Sequence, residues 1–373
     1  MVFIIYGLVL VCFSIYSYAL IDPNLTLVSH PLWQQLREPL IQLGYHQRAT
    51  STQIYLILLV ALFAIHLWLV HKKKNINPIH ISILVACIAV FAYPFVSHDL
   101  FNYIFDAKIL TVYGDNPYMQ KALDYPLDEW TRFMHWTHRP YPYGPTFLPF
   151  TLIPSYLSFN TFILNFGFFK IAWGLMYLVS VYLLSKLHKR SALMFATHPL
   201  VILEGLMNSH NDLIAVAFGI IGIWFLFQKN QIAARIWFLI SGGIKYLTLP
   251  LIVLQQKKDH WLNVVSLAGH ITLLIYLSTL EIQPWYFLVL FMFLPFYPRL
   301  IDCIQIFLIS LLLSYYPYIM LGGWDTPDKV ILKHQIIWVG FILNVVYLVW
   351  KYLKASPAKR ASVYAFLSEE AHT

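Results

Sequence analysis

The sequence predicts an all-α polytopic membrane protein of about 10–12 transmembrane helices. Three observations carry that reading. The chain is 59% hydrophobic and only 11% charged, where a soluble domain carries roughly 25% charged residues. Apolar runs of spanning length recur to within about 20 residues of the C-terminus. The basic residues collect in alternate connections.

Runs long enough to span, about 17–25 residues, lie at 3–20, 54–71, 79–97, 160–185, 260–280, 301–320 and 335–354. Shorter apolar pieces lie at 192–207, 213–228, 236–254 and 285–298. The first run is read as a helix rather than a signal peptide, because it lacks a basic n-region. The whole gives about ten full spans and two broken ones. It forms one transmembrane domain over 1–354, with a short cytoplasmic tail at 355–373.

Lysine and arginine set the orientation. The lysines at 72–74, Lys186, Lys189, Arg190, Lys229, Arg235, Lys257, Lys258, Arg299, Lys351, Lys354, Lys359 and Arg360 all fit on one side. That side is then cytoplasmic, with both termini inside and residues 98–145 outside as an extracytoplasmic catalytic loop. The net charge of +8 is explained by topology and calls for no nucleic acid. The same parity makes 146–158 dip without crossing, which Pro149 and Pro154 favour. It also makes 236–254 a hairpin turned at Gly242 and Gly243. Irregular backbone at that depth must line a cavity or be buried in protein. Cys12, Cys87 and Cys303 fit no metal or redox spacing and read as small core residues.

The stretch 97–118, SHDLFNYIFDAKILTVYGDNPY, is the first place to look for chemistry. Asp99 and Asp106 are seven residues apart, two helical turns, and so share a face. Asp99 at the outer mouth suits a general base or substrate anchor, with His98 and Tyr103 near enough to orient it. Gly114 to Tyr118 reads as a turn ending the helix that carries Asp106. Residues 124–145 are polar and aromatic. Their rings, Tyr143 among them, suit sugar or lipid headgroups, and equally an interfacial belt; Arg139 suits a phosphate.

Glu204 lies inside an apolar run, and His210, Asn211 and Asp212 lie at its junction with the next. An ionisable group at that depth is a functional candidate or the partner of Lys245 or Lys170. Asn208 or Ser209 is expected to cap the following helix. Lys245, beyond the glycine pair, would point an ammonium at a lipid phosphate. Trp285 and Tyr286 open an outer helix end and read as belt residues or as lipid and sugar contacts. There is no Gly-rich nucleotide loop, so an outward-facing enzyme would draw on a donor already in the membrane.

Taken in order, SHDLFNY, the GDNPY turn, PYGP at 142–145, HPLVILEG…HND at 198–212, GGIKY at 242–246 and QPWY at 283–286 resemble the glycosyltransferase C superfamily. They look most like its polyprenol-phosphate-mannose-dependent α-mannosyltransferases. The resemblance spans about 80–300. It implies an inverting transfer of a hexose, mannose by resemblance, from a polyprenyl phosphate to a glycan or glycolipid hydroxyl. It assigns Asp99 as base. It places Tyr118 with its turn, the 142–145 stretch, His210, Asn211 and Asp212 around an outer cavity, and Lys245 near the donor phosphate. Some relatives carry an Asp-x-Asp pair where this chain has Ser97-His98-Asp99, so no cofactor is expected, and a divalent metal stays open without a paired-acid motif to support it. Partners are then the lipid-linked donor, the acceptor and membrane lipids, and the compact length suggests a bacterial plasma membrane. Rival readings are a flippase for lipid-linked saccharides and a glycan ligase using a lipid pyrophosphate.

Overall fold

The computed structural model describes residues 2–72, 76–360 and 363–367, and every regular element among them is helical. In chain order these include α1 (Val2–Ser17), α2 (Pro31–Ile41), α3 (Arg48–Lys72), α4 (Pro78–Ala89) and α5 (Asp99–Thr111). Next come α6 (Phe147–Leu157), α7 (Phe162–Leu187), α8 (Lys189–Thr197), α9 (Asn211–Phe227), α10 (Gln231–Ile244) and α11 (Trp261–Leu280). Then follow the single turn α12 (Leu300–Cys303), α13 (Gln305–Leu313) and the long α14 (Pro327–Lys354). A π-helical turn, Val201–Met207, precedes α9, and tight 3-10 turns fill Tyr246–Val253 and Pro284–Phe293. Lys73 and Lys74, part of the basic side, and the last six residues lie outside the described residues.

Among the described residues, six stretches are long and apolar enough to cross a membrane: Phe3–Leu20, Arg48–His71, Phe162–Leu187, Trp261–Leu280, Gln305–Gly322 and Pro327–Lys354. They match six of the seven runs expected to span, and the chain is a polytopic membrane protein. The seventh run, 79–97, differs. Its helix stops at Ala89, and twelve residues reach only about 18 Å against a hydrocarbon core of about 30 Å. The pair Val201–Met207 and Asn211–Phe227 would count as one further span, bent by 106°. The ten full spans expected therefore reduce to six, or seven with the bent pair, and shorter apolar helices make up the rest.

Helix α9 is the hub. Leu213 to Ala217 are buried on every face of it, and it packs against α7, α10 and the Pro284–Phe293 turn. A helix apolar all round belongs in the interior of a bundle. By contrast α14 exposes Ile342, Val346 and Leu353, the pattern of a helix facing lipid.

The two expected irregular segments take definite shapes. Eleven-residue α6 is too short to span, and it turns into α7 through Phe159 and Asn160, both at positive φ. Helix α10 ends at Ile244, Lys245 is extended, and the chain folds back along α10. The break falls at Lys245 rather than at the glycine pair. The glycines serve close approach instead. A Cβ on Gly144 would lie 2.0 Å from the Gly243 carbonyl oxygen, and Thr146 N–H donates to that carbonyl at 3.1 Å. The PYGP and GGIK stretches thus seat backbone on backbone.

Candidate active site

The site is built on the break between Val201–Met207 and α9. Ser209 sits at φ 57°, and His210 is extended, so the helix cannot run through. A break leaves carbonyls that need donors. Lys170 supplies them: its Nζ donates to Leu206 O at 2.6 Å, Met207 O at 2.8 Å and Ser209 Oγ at 3.1 Å. Trp173 Nε1 donates to His210 O at 3.0 Å. Lys170 is therefore a backbone clamp and does not serve Glu204. Nor does Asn208 cap α9: the cap residue is His210, with no side-chain hydrogen bond, and Asn208 Oδ1 accepts from Val96 N–H.

The break gathers three ionisable side chains, Glu204, His210 and Asp212, and Asp99 from the first turn of α5 and Lys245 from the end of α10 come against them. His210 Nδ1 lies 3.4 Å from Asp99 Oδ2, and His210 Nε2 lies 3.3 Å from Glu204 Oε2. These are charge contacts at the long end of hydrogen bonding rather than aligned bonds. Carboxylates only accept, so an imidazole serving both must carry both ring protons, or one acid must hold a proton. Asn208 Nδ2 reaches Glu204 at 3.4 Å. The His210 ring stacks on Trp285, centroids 3.8 Å apart. Beside this chain, Lys245 Nζ is 3.0 Å from Asp212 Oδ2 and 3.5 Å from Asn211 Oδ1, and it lies 5.0 Å from the Tyr286 ring centre. Lys245 thus pairs with Asp212, while the partner of Glu204 is His210.

Burial sorts these groups. The Glu204, His210 and Asp212 side chains are wholly enclosed, while Asp99 is 19% and Lys245 22% exposed. The base candidate and the cation are therefore the reachable ends of two buried pairs. Burial pushes the Asp99 carboxyl up, but its contact with His210 and the charges of His210, Lys245 and Arg139 outweigh that and hold it below its ordinary value. It is ionised at neutral pH. Asp106, on the same helix but enclosed, is pushed up to about 8 by burial against a smaller opposing pull from Arg139.

The remaining expected residues form an outer tier. Tyr143 packs edge-on to Tyr103 and to Tyr141, and Tyr118 packs edge-on to Tyr141. Arg139 lies over Trp136 at 4.7 Å and acts on Asp99 and Asp106 through its charge. Gly114 takes φ 74° where the chain leaves α5, and Asn116 Oδ1 accepts from Tyr118 N–H, which makes the expected turn. An apolar groove between α13 and α14, lined by Ile306, Leu313, Ile336 and Leu343, shares no residue with this site.

The expected orienters of Asp99 do something else. Tyr103 Oη accepts the Asn211 N–H at 3.3 Å. His98 stacks on His135 at 3.5 Å and faces Asp22, with Nε2 3.9 Å from Oδ2. Ligand atoms of Asp22, His98 and His135 lie within 4.8 Å of one another, a grouping able to hold a cation. Sequence reasoning missed Asp22 and His135, since no spacing rule links a loop after the first span to residues far downstream.

The fold and site define an integral membrane protein with a buried, charge-paired centre behind one accessible carboxylate. A family model described as "Alpha-(1->6)-mannopyranosyltransferase, N-terminal domain" matches residues 5–256, and the chain belongs to that MptA_B family. Membership makes it a mannosyltransferase of the glycosyltransferase C type and bears out the resemblance drawn from the motifs. The matched region holds Asp99, Glu204, His210 and Lys245, and stops short of Trp285 and Tyr286. No curated protein and no solved structure matches the chain.

Proposed function

We propose that the protein moves mannose from a polyprenyl-phosphate carrier to a hydroxyl of a glycan or glycolipid, with inversion, at the extracytoplasmic face. The observation that carries the reading is the Asp99–His210–Glu204 chain, with only its Asp99 end accessible. The acceptor hydroxyl gives its proton to Asp99 as its oxygen bonds to the anomeric carbon. The bond from that carbon to the phosphate oxygen breaks on the opposite face, and polyprenyl phosphate leaves with the electron pair. Phosphate is a weakly basic leaving group, so no strong acid is needed. Lys245 and Arg139 offset the charge it gathers. Asp99 then returns its proton to water. Asp106, Tyr118, Tyr143, Asn211, Trp285 and Tyr286 would shape the sugar and acceptor site. The outward placement is supported by the excess of lysine and arginine on the other side, fifteen against eight, and it requires the irregular backbone after α4, at 90–97, to complete the crossing that the helix itself does not.

The test is Asp99→Asn. General-base assistance contributes about 10²–10⁴-fold, so mannose transfer by detergent-purified variant should fall at least about a hundredfold. Its elution profile and thermal midpoint should match wild type. Turnover near wild type would remove Asp99 from the mechanism.

A further inference from the structure

Asp22, His98 and His135 come from three separate segments and meet outside the site just described. Asp22 follows the turn Tyr18–Leu20 after the first span, His98 immediately precedes α5, and His135 lies on the outer loop. Their ligand atoms lie within 4.8 Å of one another. The His98–Asp22 separation, 3.9 Å, is too long for a hydrogen bond. It is close to the spacing of two ligands on one small cation: donors at about 2.0–2.2 Å in tetrahedral array stand about 3.4 Å apart.

The surroundings fix the acid for that task. Asp22 Oδ1 accepts from Asn24 N–H at 2.8 Å, and the Asp22 N–H donates to Tyr93 Oη at 3.1 Å. That holds one carboxylate oxygen and leaves Oδ2 facing His98. Outer partners that orient a ligand in this way are a regular feature of metal sites. The His98 ring is buried and stacks on His135, centroids 3.5 Å apart and 14° from parallel; in-plane lone pairs of stacked rings do not converge, so the exposed His135 ring must turn about its side-chain bonds to ligate the same ion. His135 is exposed, so an ion has a way in.

We propose that Asp22, His98 and His135 bind one divalent first-row transition cation, with zinc the best fit. Two imidazoles and one carboxylate are the donor set of such ions, whereas magnesium and calcium select all-oxygen sites. Three protein ligands leave a position for water. The ion would tie the segment after the first span and the outer loop to the start of α5, beside Asp99. It would be a structural tie, since Asp99 is not among its ligands.

The experiment uses full-length protein in detergent, stripped with a chelator and then offered Zn²⁺, Mn²⁺ or Mg²⁺. Bound metal is counted by mass spectrometry, and thermal midpoints are read from tryptophan fluorescence. Wild type should retain one Zn²⁺ per chain and melt several degrees higher with it, and Mg²⁺ should do neither. His135→Ala and Asp22→Asn should melt like stripped wild type and lose Zn²⁺ affinity at least tenfold. Substoichiometric zinc in wild type, or equal binding in the variants, would overturn the proposal. Should Asp22→Asn fail to fold, His135→Ala decides alone, because its side chain is exposed. Because Asp99 is untouched, failure here leaves the transferase reading standing, and failure of Asp99→Asn leaves this site standing.

Discussion

The Glu204 side chain is wholly enclosed against His210, so on the proposed mechanism its effect passes through that ring, and that makes Glu204→Gln an informative change. The substitution keeps shape and an oxygen for Asn208 Nδ2 to bond, but removes the charge 3.3 Å from His210 Nε2. At that distance and an effective dielectric near 20, the bare attraction is about 5 kcal/mol. Desolvation takes back much of it, and a hydrogen bond to a charged group contributes about 1.5–3 kcal/mol net. Carried into the transition state, that is a kcat lower by about 10- to 100-fold. The pH profile separates this role from a structural one. On the proposed mechanism Asp99 works ionised, and its carboxyl is held below its ordinary value against burial by His210, Lys245 and Arg139. Activity should persist into acid and fall only as pH drops through that low value. Without Glu204 the imidazolium is less favoured, Asp99 loses support, and its acid limb moves to higher pH. Initial rates of mannose transfer across the acid range check both effects. A kcat near wild type, or a lowered kcat with the acid limb unmoved, would refute the positioning role.

Two further outcomes follow from the charged pairs. Lys245→Met should destabilise by about 3–5 kcal/mol because Asp212 is left charged and enclosed. The double variant with Asp212→Asn should recover most of the thermal midpoint but not the transfer rate, and recovery of activity would show that Lys245 serves only Asp212. For Asp106, the folded carboxyl keeps its proton to about pH 8 while the unfolded chain has lost it above about pH 4. Its contribution to stability is therefore full below about pH 4, declines as pH rises from there, and is lost once pH passes about 8. Asp106→Asn should flatten that decline and melt higher than wild type at alkaline pH, and parallel melting profiles would remove the buried-acid account.

The helical class and six of the spans were legible because each span is a run of apolar residues, and length against bilayer thickness decides the matter. The short helix α4 was misjudged for a related reason. Hydropathy continues through Phe91, Ala92, Tyr93, Phe95 and Val96, but the helix does not, and these residues are irregular backbone or turn, buried from Ala92 on. Composition reports where apolar side chains are, not whether the backbone under them stays helical.

The pairing at the site was the harder problem. In a straight helix, residues six apart stand about 240° round the axis, so Glu204 and His210 would not meet. A lysine elsewhere in the bundle was the natural partner for the buried acid. The π-helical turn and the 106° bend reverse that geometry, and nothing in ILEGLMNSHND announces them at sequence level. Lys170 makes the break tolerable by pairing the freed carbonyls, so a cation that looks like a counter-ion is spent on backbone. That leaves His210 as the base within reach of Glu204, and it reaches Asp99 with its other nitrogen. Lys170 and Lys245 were thus interchangeable by composition and are not by position: Lys170 is buried and holds the break in shape, and Lys245 is the one with a face to solvent.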